Sequence, residues 1–163
     1  MKVIFSKRPK KPRLRKRTVF LQVLRQALQS SGLAHGFVPS SAGAAVALHV
    51  ILVDTAEIRE LNRNHLGKNR VTDVIAFDLR DTPPTPGEAV AAAEIYVCLD
   101  VAVAATSEYT TSTGHEVILY VVHGMLHLAG EDDASAAGRR RMRKLETKVM
   151  EELHAHFPVE DLF

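Results

Sequence analysis

Only one cysteine, Cys98, occurs in the 163 residues, so no internal disulfide can form. It lies in the apolar run Ile95-Tyr96-Val97-Cys98-Leu99. A reduced, buried thiol is expected there, and a reducing, intracellular and therefore cytoplasmic setting follows as the default. Long apolar runs are also missing. None approaches the roughly 20 residues needed to span a bilayer, so no membrane partner is expected. Acids are absent from the start of the chain, where the first Asp or Glu is Asp54. Residues 1–20 instead carry nine Lys or Arg, and the remainder holds 12 basic against 19 acidic side chains. The net charge of +2 thus conceals a basic segment at 7–17 joined to an acidic body.

That basic segment admits three readings. Clustered Lys and Arg displace counterions from nucleic acid, which makes Lys10, Lys11, Arg13, Arg15, Lys16 and Arg17 candidate RNA contacts. A solvated loop would look the same in composition. The acid-free stretch also resembles a transit peptide, but Met1–Phe5 reads as a strand before the basic residues begin. The phosphate-binding arm is the preferred reading.

With 46% apolar and 25% charged residues the chain has the composition of an ordinary globular domain, and residues 1–163 are expected to form one domain. Apolar periodicity predicts a helix over Thr18–Ser31, with Val19, Leu21, Val23, Leu24 and Leu28 as its inner positions. Ala45–Val53 is β-branched and reads as a strand. Asp54 with Glu57 forms a capping box for a helix reaching Asn64. Val74–Phe77 and Glu94–Leu99 read as strands on either side of the Pro-rich loop 81–87. Asp100 is expected to cap a helix to Glu108, followed by helices over His115–Ala129 and Ala134–His154. Strands and helices mix without strict alternation, so the expected class is α+β, a small mixed sheet covered by helices.

The chemistry concentrates in His123-Gly124-Met125-Leu126-His127-Leu128-Ala129-Gly130-Glu131-Asp132-Asp133. Histidines four apart share one helix face. Gly130 can stop the helix in a left-handed conformation and let the chain bring Asp133 back towards the imidazoles. Two neutral imidazoles and one carboxylate leave a fourth position open, as in catalytic zinc sites. Core histidines bonded to backbone are the bland reading, but two neighbouring imidazoles with no shared partner would be left unsatisfied. The glutamate of the metalloprotease pattern His-Glu-x-x-His is missing, because Gly124 stands in its place. The glycine is expected to let a substrate or another backbone approach the metal closely. Glu131 and Asp132 are candidate bases or rival ligands, and Asp73 a candidate for orienting an imidazole. A second basic cluster spans Arg139-Arg140-Arg141 with Arg143 and Lys144. His35, His49, His115, His154 and His156 belong to no constellation visible in the sequence.

Val122-His123-Gly124-Met125-Leu126-His127-Leu128-Ala129-Gly130 resembles the signature of the YbeY family, the bacterial rRNA maturation endoribonucleases. Leu61-Asn62, Gly67-Lys68 and Thr72-Asp73-Val74-Ile75-Ala76-Phe77 form a second matching block. Glu94-Ile95, Met142 and Glu146 also suit the family pattern. The resemblance implies a zincin-like metal-dependent hydrolase core acting on single-stranded RNA. It also implies maturation of the 16S rRNA 3′ end, ribosome quality control, and rRNA and the small ribosomal subunit as partners. It makes His123 and His127 metal ligands and places Asp133 where the family commonly has a third histidine. One Zn²⁺ per chain is expected, and the carboxylate predicts more tolerance of Mn²⁺ or Fe²⁺. Leu66 stands where many members carry an arginine, which leaves Lys68 and Arg70 as candidates for balancing phosphate charge.

Two other functions compete. In a non-catalytic ribosome-assembly factor the metal would organise the fold and the basic arm would dock on rRNA. A two-His-one-carboxylate iron enzyme would use the same ligand types, but no β-barrel strand pattern accompanies them.

Overall fold

Alternation along one strand divides the molecule into layers. In Ala47–Val53, Leu48, Val50 and Leu52 face one apolar cluster, while Ile51 and Val53 face another. Successive side chains of a strand point to opposite faces, so a strand apolar at nearly every position is buried on both. The structure, a computed structural model, describes residues 1–36, 46–80 and 91–163. In chain order its elements are β1 (Lys2–Lys7), α1 (Arg17–Ser30), β2 (Ala47–Val53), α2 (Thr55–Leu66), β3 (Val74–Asp78), β4 (Ala91–Cys98), α3 (Leu99–Tyr109), α4 (Thr113–Leu128) and α5 (Ala136–His156). Short 3₁₀ turns occupy Leu33–Gly36 and Val159–Asp161.

The four strands form one mixed sheet in the order β1-β2-β4-β3. β1 pairs parallel to β2 and β2 parallel to β4, whereas β3 runs antiparallel along β4 at the edge. Parallel neighbours need a crossover, and α1 supplies the one between β1 and β2. This is the α+β arrangement expected, a mixed sheet covered by helices. The larger cluster draws on α1, α4 and α5 on one face, and α2 covers the other through Ile58 and Leu61.

Most elements begin and end within two residues of expectation, with three corrections. In α1 the buried positions are Phe20, Val23, Leu24, Ala27 and Leu28. They form a regular helical stripe in which Phe20 replaces Val19 and Leu21 as the anchor. Asp100 does not cap α3, whose N-cap is Cys98; its carboxylate instead accepts from the Thr55 amide at 2.9 Å and ties α3 to α2. The second strand of the hairpin begins at Ala91 rather than Glu94. The Pro-rich loop 81–87 lies outside the described residues. Asp54 does cap α2, accepting from the Glu57 amide at 2.9 Å. Cys98 is a free, buried thiol, and burial raises its pKa.

Helix α4 is buried almost all round, as a helix at the centre of a fold must be. Gly124 sets how closely it lies on the sheet. A Cβ there would meet Ile95 Cγ2 at 3.1 Å and Val74 Cγ2 at 3.4 Å. The close approach is therefore to strand side chains of β4 and β3, and not to a substrate or another backbone.

Candidate metal centre

Helix α4 ends in a Schellman turn, and that turn builds half of the site. The Gly130 amide donates to the His127 carbonyl and the Glu131 amide to the Leu126 carbonyl, each at 3.0 Å. Gly130 has φ 98°, the left-handed conformation that glycine adopts without steric cost. The reversal carries the Glu131 carbonyl over His127, whose Nδ1 lies 3.0 Å from it. A backbone carbonyl only accepts, so Nδ1 carries the hydrogen and the Nε2 lone pair points away from the turn.

The other half comes from α5. His123 Nδ1 lies 2.6 Å from Glu146 Oε1, so this ring too presents Nε2 to the open side. The two Nε2 atoms face each other at 2.9 Å, with ring planes at 87°. Asp133 Oδ2 stands 3.9 Å from each of them. A point equidistant from these three atoms lies about 2.1 Å from each, inside the range of zinc–imidazole and zinc–carboxylate bonds. His123, His127 and Asp133 are thus a set that could hold a metal ion. The Glu146 hydrogen bond raises the His123 pKa, against burial, and the charges of Asp73 and Asp133 add to the rise.

The segment bearing Asp133 is braced at several points. Asp132 accepts from the Ala134 amide at 3.0 Å, and Ser135 caps α5 by accepting from the Gly138 amide at 2.9 Å. The Arg139 guanidinium donates to the carbonyls of Asp133 at 3.2 Å and Ala134 at 2.8 Å. A Cβ on Gly138 would collide with the Asp132 carbonyl oxygen, so the glycine lets α5 press directly on this segment.

Other sequence-predicted residues are placed differently. Glu131 pairs with Arg141 at 2.7 Å and Asp132 serves the turn, so neither carboxylate joins the cluster. Asp73 does not orient an imidazole: its carboxylate bonds Thr72 Oγ1 and the Val74 amide. Lys68 and Arg70 are exposed on the α2–β3 connection, where the Asn62 side chain donates to the Arg70 carbonyl at 2.9 Å. Leu66 is 51% exposed at the end of α2, and His65 packs edge-on against Phe77. In the basic arm Lys10, Lys11, Arg13, Arg15, Lys16 and Arg17 are all exposed. Lys16 pairs with Asp161 at 3.1 Å. Arg17 donates to the Phe5 carbonyl and lies over the Phe5 ring, so these two cations are engaged within the fold.

Two residues at the site had no role assigned to them from the sequence. Glu146 matches the family pattern, but its contact with His123 spans 23 residues of chain and becomes visible only when α5 packs on α4. Arg80 lines a cleft of about 370 Å³ beside His127, with Ala76, Asp78 and Gly130. Its guanidinium bonds both oxygens of Asp78 and reaches the Leu128 carbonyl at 3.4 Å, holding the Asp78 carboxyl below the usual carboxylate range.

Comparison with known proteins gives a consistent result. The sequence model of one family, described as Endoribonuclease YbeY, matches residues 6–154. A protein of that name from Salinibacter ruber is 40% identical over 107 residues, covering 63% of this chain and 68% of its own. Another, from Moorella thermoacetica, is 34% identical over 136 residues, covering 80% and 84%. Among solved structures, a Thermotoga maritima protein determined in solution superposes with a TM-score of 0.55 at 27% identity, over 98% of this chain and 95% of the other.

Proposed function

This chain belongs to the YbeY family of metal-dependent endoribonucleases, and from that premise we propose that it cuts single-stranded RNA at a Zn²⁺ ion held by His123, His127 and Asp133. Its substrate is the 3′ end of 16S rRNA on the small ribosomal subunit, where it also serves ribosome quality control in the cytoplasm. The observation that carries the reading is the three-atom cluster, with the Nδ1 side of each imidazole already engaged. When bound, the ion supplies a Lewis acid for a phosphoryl oxygen and lowers the pKa of a water.

The chain's own residues do the rest. Glu146 and the Glu131 carbonyl fix the tautomers, so that both Nε2 lone pairs converge. Asp133 adds one negative charge, which makes the site less electrophilic than three histidines and more tolerant of Mn²⁺ or Fe²⁺. Lys68 and Arg70 balance phosphate charge from the connection that leads into β3, in place of the arginine that Leu66 lacks. Lys10, Lys11, Arg13, Arg15, Lys16 and Arg17 hold RNA phosphates, with Lys10, Lys11, Arg13 and Arg15 contributing most because Lys16 and Arg17 already have contacts within the chain. We read residues 1–163 as one working unit. Support comes from β1 pairing in the sheet and from Phe163 packing edge-on against Phe20.

The experiment is cleavage of a labelled single strand and of its duplex by purified protein. Wild type is expected to cut the single strand, and a chelator or His123→Ala to stop it. Single strands left whole across Zn²⁺, Mn²⁺ and Fe²⁺ preparations would sink the reading. The exposed Leu66 favours one rival, a ribosome-assembly factor with a structural metal. That rival predicts salt-dependent subunit binding with no cleavage in metal-replete wild type.

A further inference from the structure

The far end of helix α4 brings together a second group of two imidazoles and a carboxylate. His115, in the first turn of α4, places Nδ1 2.9 Å from Nε2 of His154 in the last turn of α5. This is the same nitrogen–nitrogen separation as between His123 and His127. The carboxylate is Glu160, on the final 3₁₀ turn, 3.4 Å from His154 Nδ1, the ring nitrogen opposite the one that faces His115. One donor atom from each of the three residues falls within 4.8 Å of the other two. The rings are nearly stacked, at 30° and 5.1 Å between centroids.

The cluster opens on a cleft of about 520 Å³ walled by Thr110, Thr111 and Ser112. Ser112 caps α4 by accepting from the His115 amide at 3.0 Å, which fixes the first histidine in place. Thr110 ends α3 as its left-handed C-cap, with φ 55°. His115 and His123 are eight residues apart on one helix, about 12 Å along its axis, so the two clusters cannot share an ion.

We propose that His115, His154 and Glu160 form a second site for a borderline transition-metal cation of the Zn²⁺ class. Two imidazoles and one carboxylate, with water completing the shell, suit such an ion and not Mg²⁺ or Ca²⁺, which take oxygen ligands. The site joins α4, α5 and the final 3₁₀ turn, so its role is a structural clip. Without an ion, the 2.9 Å contact is a single hydrogen bond between the rings.

The test uses the full chain with its first site disabled, the His123→Ala/His127→Ala variant, and Zn²⁺ as the probe. Calorimetric titration is expected to give one equivalent per chain, and Zn²⁺ to raise Tm by several degrees. Adding His154→Gln removes both the binding and the shift. Glu160→Gln, on an exposed turn that tolerates change, weakens binding at least tenfold, which guards against a misfolded His154 variant. In otherwise wild-type protein, His154→Gln lowers the bound metal from two equivalents to one and leaves RNA cleavage in place. No Zn²⁺ taken up by the His123→Ala/His127→Ala variant overturns the proposal, as does uptake that survives His154→Gln. Either result leaves the reading of the first site untouched, because that site is scored separately by cleavage.

Discussion

Glu146 shows how much of a metal site lies outside its ligands. It touches only the back of His123, yet it sets which nitrogen is available and how firmly that imidazole holds a proton. A metal must displace the Nε2 proton. Because the His123 pKa is raised, uptake should begin to fail at a higher pH than an ordinary histidine would allow. Glu146→Gln is expected to lower metal affinity 10–100-fold at pH 8 and to move the acid midpoint of uptake to lower pH, both readable by titration at several pH values. His49 gives the opposite sign in stability. It is hydrogen-bonded to Ser6 Oγ at 2.8 Å on β2, and burial lowers its pKa. The folded state thus resists protonation, so its contribution is present above the ordinary histidine range and lost as pH falls below it. His49→Gln should flatten the fall in Tm between pH 7 and pH 5. At this scale the sequence was informative only about short spacings. His123 and His127 are four apart and Asp133 follows closely, so the trio was legible. Partnerships spanning 23 and 39 residues, His123 with Glu146 and His115 with His154, were not.

Helix ends and two close approaches govern the elements. Gly130 and Asp54 act as their spacing suggested, because caps are local chemistry read over a few residues. Gly124 and Gly138 could not be read locally. The reason for the first lies across the sheet in Ile95 and Val74, and for the second in the Asp132 carbonyl. Gly124→Ala should cost about 1–3 kcal/mol by overpacking, visible as a lower denaturation midpoint with the metal site retained. Gly138→Ala acts differently. Its Cβ would push on the segment that carries Asp133, so metal affinity is expected to fall more than stability. Urea denaturation and metal titration on the same preparation separate the two effects.

Across the whole molecule, charge and fold divide the work. The basic arm leaves the sheet from β1, at the opposite edge from β3, about 14 Å away at ordinary strand spacing. The metal-bearing helix packs over β4 and β3, with Gly124 against Ile95 and Val74. An RNA strand engaging both regions would therefore have to span the width of the molecule, and the arm contributes affinity rather than chemistry. Replacing Lys10, Lys11, Arg13 and Arg15 together with Gln should weaken RNA binding and flatten its dependence on salt by about 0.7 per lost single-strand contact. The turnover of bound RNA should stay unchanged. Composition alone revealed this asymmetry, since it needs only a count of charges. The engagement of Lys16 and Arg17 within the fold needed the packing of α1 and the C-terminal turn. The central claim is that His123, His127 and Asp133 hold the ion that cuts RNA. Its most direct test measures bound metal and single-strand cleavage together in wild type and Asp133→Ala, with circular dichroism confirming the fold. The account predicts that both fall together, by at least tenfold. An Asp133→Ala protein that keeps its metal and cleaves at the wild-type rate would contradict it.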